Sequence, residues 1–203
     1  EQTGRPDKRE DILWARAYVA AHRGSADEAR HLAAEGVSAA EASGNRRNLL
    51  RNLAVLGFLD LSQGDPSAAV GHLERAAEVS AAAGFVEPNW LRFQGDLGEA
   101  LIELGRLDDA AALVDTLEQC AGQTGYPWAV ATAARCRGLV LAGQDRLDAA
   151  RDALRNAVVA GERLGNPFEL ARIRLALGRI DRRDMQRGQA RESLAGALVG
   201  FEA

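Results

Sequence analysis

Small and apolar residues recur along this chain in blocks of about 40, and each block reads as two helices joined by a turn. The stretch from Gly138 to Leu154 shows the pattern. A small residue, Gly138, is followed by a Gly-containing turn, by Ala150 twelve positions later, and by Leu154 one helical turn along the same face. The first position of this series holds Ala17, Gly57, Gly98, Gly138 and Gly178, at spacings of 40, 41, 40 and 40. The second holds Ala29, Ala69, Ala110, Ala150 and Ala190, always 12 after its partner. Ala33, Leu73, Val114, Leu154 and Leu194 lie four further on, and Gly44, Gly84, Gly125 and Gly165 close the units. Two antiparallel helices come close only where their crossing carries side chains no larger than a methyl. Gly in mid-helix costs about 1 kcal/mol against Ala, so four of them at one register demand a packing reason. The pair 12 apart is therefore expected to mark the contact inside each hairpin.

Five units follow, at about 10–44, 45–84, 85–125, 126–165 and 166–203, forming one repeat domain over 10–203. Residues 1–9 are polar and read as disordered or vector-derived. The paired helices are predicted at Glu10–Arg23 and Ser25–Ser43, Arg46–Gln63 and Pro66–Ala83, and Asn89–Leu104 and Leu107–Gln123. The last two units pair Pro127–Ala142 with Arg146–Leu164, and Pro167–Arg183 with Gly188–Glu202. Ser25 followed by Glu28 has the spacing of a capping box, and Asp65-Pro66 is a favoured helix start. Turns are expected at Gly105 and Gly143. Trp90, Trp128 and Phe168 fall just inside helix starts, where an aromatic ring wedges against the preceding unit rather than stacking on a ligand.

Here the chain resembles the tetratricopeptide repeat, whose consensus places a small residue at its eighth position and Ala at its twentieth. The matching pairs are Ala17/Ala29, Gly57/Ala69, Gly98/Ala110, Gly138/Ala150 and Gly178/Ala190, with Leu56, Leu97 and Leu177 before the small residue and Arg16 and Arg137 in the other two units. The resemblance implies an all-α, right-handed α-solenoid of five hairpins. The period of about 40 exceeds the family's usual 34, so the second helices should be longer by a turn or more. In this family the first helices line a concave groove. Carried onto this chain, that geometry implies a groove of Trp14, Tyr18, Arg51, Phe58, Arg92, Glu99, Arg135, Arg172, Leu175, Arg179 and Arg182. The chaperone-tail class of the family uses a Lys/Asn clamp; Trp14 and Tyr18 stand at the first two clamp positions, which disfavours that ligand.

The last third is similar to the final helical repeats of large ATP-binding LuxR-type transcriptional regulators. The motifs are Leu164-Gly165-Asn166-Pro167-Phe168-Glu169-Leu170-Ala171-Arg172, Leu175-Ala176-Leu177-Gly178-Arg179, Ala190-Arg191-Glu192-Ser193-Leu194 and Phe201-Glu202. This likeness covers roughly residues 125 to 203. It implies a sensor and coupling segment; a stand-alone adaptor that scaffolds an unrelated complex is the alternative.

Composition narrows the choice. Apolar residues make up 47% of the chain but aromatics only 5%, so the core is built from Ala, Leu and Val, which suit closely spaced helices. Lys8 is the only lysine, and the Arg, Ala and Gly bias fits a GC-rich bacterial genome. The net charge of −4 makes no global case for nucleic acid, although the residues from Asn166 onward carry seven Arg against five acids. That local excess suits an acidic partner or a peptide carboxylate held by Arg forks; the plainer reading is a solvated face with pairs such as Asp184 with Arg187. No membrane span and no leader segment are apparent, and the chain reads as a piece of a longer cytoplasmic protein. Cys120 and Cys136 fit no metal spacing and read as reduced. His22, His31 and His72 form no H-E-x-x-H motif, and no P-loop or G-x-S-x-G elbow is present. No catalytic centre, metal or cofactor is expected. The expected partner is a protein or peptide, with a small effector as a second class. Self-association through the apolar C-terminal face of Leu194, Leu198 and Phe201 is a further expectation.

Overall fold

A computed structural model describes residues 8–85 and 92–202, and among them only helices occur as regular elements. These are α1 (Lys8–His22), α2 (Ala26–Ser43), α3 (Arg46–Ser62), α4 (Pro66–Ala83), α5 (Phe93–Glu103), α6 (Leu107–Thr124), α7 (Pro127–Gly143), α8 (Leu147–Leu164), α9 (Pro167–Arg183) and α10 (Arg187–Glu202). The all-α helical-repeat expectation is met. The second helices α2, α4, α6 and α8 are each 18 residues long, which accounts for the lengthened period. The expected start of the third unit at Asn89, and Trp90 with it, lie outside the described residues.

The chain divides into two compact units, residues 1–100 and 101–203. In the first, α1 to α4 enclose a core of Leu13, Ala17, Ala29, Leu32, Ala33, Leu56 and Leu59, together with Leu53, Ala69 and Leu73. In the second, Ala150, Leu154 and Ala157 of α8 bury against Ile173, Leu177 and Ile180 of α9. Trp128 at the start of α7 is buried against Leu117 and Ala121 of α6, the expected wedge. Phe168 instead meets Phe201 of its own hairpin edge-on, with ring centroids 5.5 Å apart.

The small-residue register lies inside the fold, as the spacing predicts. Ala17, Ala29, Ala69, Ala110 and Ala150 are fully buried; Ala190, Gly57, Gly98, Gly138 and Gly178 are buried too. The closest occupant above Gly57, Gly138 and Gly178 is nonetheless the leucine 16 residues on. A Cβ on Gly57 would lie 2.4 Å from Cγ of Leu73. On Gly138 it would lie 2.5 Å from Cγ of Leu154, and on Gly178 2.7 Å from Cγ of Leu194. The backbone oxygen of Ala150 comes next, 3.2 Å from the Gly138 position, so the alanine permits the approach and the leucine fills it.

The hairpin turns repeat one hydrogen bond. The amides of Ser25, Asp65, Arg106, Arg146 and Gln186 each donate to the carbonyl five residues back, at 2.8–3.0 Å. This Schellman-type closure puts the preceding residue in the left-handed region. Gly24, Gly64 and Gly105 take it at φ +78°, +80° and +74°, but Asp145 and Met185 are forced into it at +63° and +60°. Gly143 is therefore not the turn glycine. It is the last residue of α7, where a Cβ would strike Cδ2 of Leu107 at 2.6 Å.

Two cap expectations divide. Asp65 accepts the amide of Ala68, but Ser25 makes no side-chain cap bond, and the Glu28 carboxylate that would complete the box pairs with Arg16 at 3.3 Å. Sequence also misassigns the partner of Asp184, which is Arg151 rather than Arg187. Arg151 is buried in α8, pairs with Asp181 of α9 at 3.0 Å, and reaches Asp148 at 2.9 Å. The same register in the first unit holds Arg30 of α2 and the buried Asp60 of α3, 2.7 Å apart. Each pair joins residues 30 apart, clamping the second helix of one hairpin to the first helix of the next.

Candidate functional site

On the first unit, α1 carries Trp14, Tyr18 and His22 at successive helical turns, and their rings form a ladder. Trp14 and Tyr18 have centroids 6.0 Å apart, and Tyr18 and His22 4.1 Å apart. His22 then stacks on Phe58 of α3, 4.9 Å away and within 8° of parallel. Nδ1 of His22 lies 2.9 Å from the Tyr18 carbonyl oxygen, which can only accept, so this nitrogen carries the proton and the ring is held in place. At the other end the Arg51 guanidinium sits 4.1 Å over the Trp14 ring, a cation–π contact. Burial, and then the neighbouring Arg47 charge, lower the Arg51 pKa, with Asp11 opposing them. Asp11 is the hub behind the ladder: it accepts from Asn48 at 3.1 Å and pairs with Arg47 at 3.4 Å and Arg51 at 3.6 Å.

The ladder faces solvent. Tyr18 is 43% exposed and His22 is exposed, while Trp14 and Phe58 are half-buried. The structure thus brings together four of the expected groove residues, Trp14, Tyr18, Arg51 and Phe58, and adds His22. Sequence reading missed His22 as a ring in the ladder, although its place four after Tyr18 and eight after Trp14 was the available signal. Arg92 lies just before α5 and is exposed; Glu99 is half-buried on α5.

On the second unit the expected residues behave differently. Arg135 is only 1% exposed within α7, so it is an interior residue and not a ligand contact. Arg172 is half-buried on α9 beside Glu169 at 3.8 Å, and Leu175 is half-buried a turn further on. Arg179 and Arg182 are exposed and make no ion pair among the described residues. Their neighbour Arg183 does: it pairs with Asp145 at 2.6 Å and donates to the Ala142 carbonyl at 2.7 Å. Carboxylates that sequence alone leaves on open helix faces, Asp115 and Glu118, grip Arg137. Their hydrogen bonds, Glu118 first, raise its pKa against the opposing effect of burial. Among the described residues, no group of three potential metal ligands is found, and no helix is long and apolar enough to cross a membrane.

Paired antiparallel helices at a 40-residue register define a helical-repeat fold. Within it, residues 60–134 match the tetratricopeptide repeat family model. Solved structures agree on the fold. A variant of the nearly identical TPR-like repeats of a Podosopora anserina kinesin-light-chain candidate superposes with a TM-score of 0.64 at 18% identity, covering 97% of each chain. BtubC (BKLC) from P. vanneervenii gives 0.62 at 18% identity over 91% of this chain and 76% of its own. A comparison with curated proteins finds no match.

Proposed function

We propose that this chain is a non-catalytic interaction module whose first-helix faces receive a peptide or a partner protein. The observation that carries this is the ladder of Trp14, Tyr18, His22 and Phe58. A fold with so few aromatics sets four rings in a row at one surface, braced by a guanidinium: Trp14 and Phe58 rest on the core beneath, while Tyr18 and His22 stand exposed. Rigid aromatic rings with one open side are the commonest anchors of protein interfaces. Their exposure favours an extended partner over an enclosed small effector. On the second unit, Leu175 with Arg179 and Arg182 offers an apolar contact flanked by two cations, which suits an acidic segment.

The test is selection of a random 12-residue peptide library displayed on phage against the purified chain. Selected peptides are expected to lose about 10-fold or more in affinity on Tyr18→Ala or Phe58→Ala, with the thermal midpoint moved little for exposed Tyr18. Selected peptides rich in Asp and Glu should weaken on Arg179→Ala. Peptides that bind equally well to Tyr18→Ala, Phe58→Ala and Arg179→Ala defeat the proposal.

The narrower reading, a sensor and coupling segment of a LuxR-type transcriptional regulator in the bacterial cytoplasm, is supported by the motifs of residues 164–202 alone. The full-length gene tests it. A P-loop module upstream and a helix-turn-helix downstream favour the regulator, and the lack of both favours the stand-alone adaptor.

A further inference from the structure

At the Trp14 end of the ladder, donors outnumber what the acid among them can accept. One oxygen of Asp11, Oδ1, is approached by the Asn48 amide at 3.1 Å, by Arg47 at 3.4 Å and by Arg51 at 3.6 Å. A carboxylate oxygen offers about two lone-pair sites, so three donors crowd it. Both guanidiniums stand farther off than the about 2.8 Å of a strong ion pair. The second unit does the opposite: Arg151 is held by Asp148, Asp181 and Asp184, and Arg137 by Asp115 and Glu118. Hydrogen bonds to Glu118 and to Asp181 lead the rise in pKa of Arg137 and of Arg151. At Arg51, burial first and then Arg47 outweigh Asp11 and lower it.

The local sequence departs from rule at the same place. Arg46 and Arg47 open α3, whose first turn holds no acid, although the positive end of a helix dipole favours acids and opposes cations. Such departures are expected where function demands them. Arg47, Arg51, Ala54 and Phe58 lie at i, i+4, i+7 and i+11 on one face of α3. All four are half-buried, so this face stays open although α1, α2 and α4 pack around α3.

We propose that Arg47 and Arg51 bind one carboxylate of an acidic partner segment whose apolar side chain lies on Tyr18 and Phe58. This rests on the reading of the ladder as a partner-binding face and gives that partner its chemistry. Two guanidiniums against Asp11 leave one positive charge, which a single aspartate or glutamate side chain balances. A phosphate dianion would overshoot it and meet Asp11. The Trp14 ring, 4.1 Å from the Arg51 guanidinium, fixes the N–H edge of that group before a ligand arrives. Along α3, Arg51 and Phe58 are about 10 Å apart at about 1.5 Å per residue, which an extended chain covers in about three residues. The acid of the partner thus stands about three positions from its apolar residue.

Two displayed 12-residue libraries are the probes. Both are random except for a phenylalanine and, three residues to either side, glutamate in the first library and glutamine in the second. The best binder from the first is made synthetically, with and without Glu→Gln at that position, and its binding to the whole chain is read by fluorescence anisotropy. The glutamine form should bind about 10-fold more weakly. Arg47→Ala should weaken the glutamate form by about as much and leave the glutamine form unchanged. The thermal midpoint should stay in place, because a long, half-exposed ion pair holds little stability. Raising the salt concentration should erode the advantage of the glutamate form. The proposal is overturned if the two forms bind alike, if Arg47→Ala weakens both equally, or if light scattering shows the chain self-associating through Arg47. In those cases, binding lost on Tyr18→Ala leaves the ladder standing as a partner site. Binding indifferent to both Tyr18→Ala and Arg47→Ala, or no binder from either library, overturns the ladder reading as well.

Discussion

Replacing Gly57 with alanine puts the packing of the hairpins to a direct test. The added methyl carbon would sit 2.4 Å from Cγ of Leu73, 2.6 Å from Cδ2 and 3.0 Å from Cδ1. Cγ is the branch point of a fully buried side chain, so rotating its methyls gives no relief, and α3 and α4 must move apart. Overpacking of this kind costs up to about 3 kcal/mol. The gain in helix propensity from Gly to Ala returns about 1 kcal/mol, leaving a net loss of about 2 kcal/mol. For a chain of this size that lowers the thermal midpoint by about 4–8 °C, followed by circular dichroism at 222 nm. Gly71 of α4, in the same hairpin, has nothing within 4 Å of its Cβ position. Gly71→Ala therefore keeps only the propensity term and should stabilise by about 1 kcal/mol. The deciding measurement is the double substitution. In a Leu73→Ala background the obstruction is gone, and Gly57→Ala should turn neutral or stabilising, a coupling of about 2–3 kcal/mol. If Gly57→Ala costs the same in both backgrounds, or stabilises as Gly71→Ala does, close packing onto Leu73 is not why glycine stands there.

Other substitutions probe the clamps and turns. Arg151→Ala strands the buried Asp181 carboxylate and should cost about 3–5 kcal/mol in urea unfolding. The hydrogen bond with Asp181 is the largest cause raising the Arg151 pKa, so its contribution is fully present below the ordinary arginine range and lost only at still more alkaline pH. The difference between wild type and Arg151→Ala should accordingly stay flat from about pH 6 to about pH 10. Met185→Gly relieves an exposed residue held at φ +60° and should stabilise by about 0.5–1 kcal/mol in the same assay. Asp65→Ala removes the cap on the Ala68 amide and should cost about 1 kcal/mol.

The sequence by itself determined the register. Helix periodicity and capping are local, so the 40-residue spacing, the positions of Ala17 to Ala190 and the start at Asp65-Pro66 were legible without any partner in view. It also found part of the aromatic ladder, since Trp14 and Tyr18 lie four apart on one helix and Phe58 takes the Tyr18 register in the next unit. What tertiary structure alone decided is which atoms meet across helices. The crossing geometry puts Leu73 rather than Ala69 above Gly57, buries Arg135 instead of offering it to a ligand, and turns His22 onto Phe58. It likewise sends Arg151 to Asp181, 30 residues away, and forces Asp145 and Met185 into turns that glycine fills elsewhere. Such pairings depend on how far two helices slide and rotate against each other. The sum of many small contacts sets that, and no local run of residues encodes it.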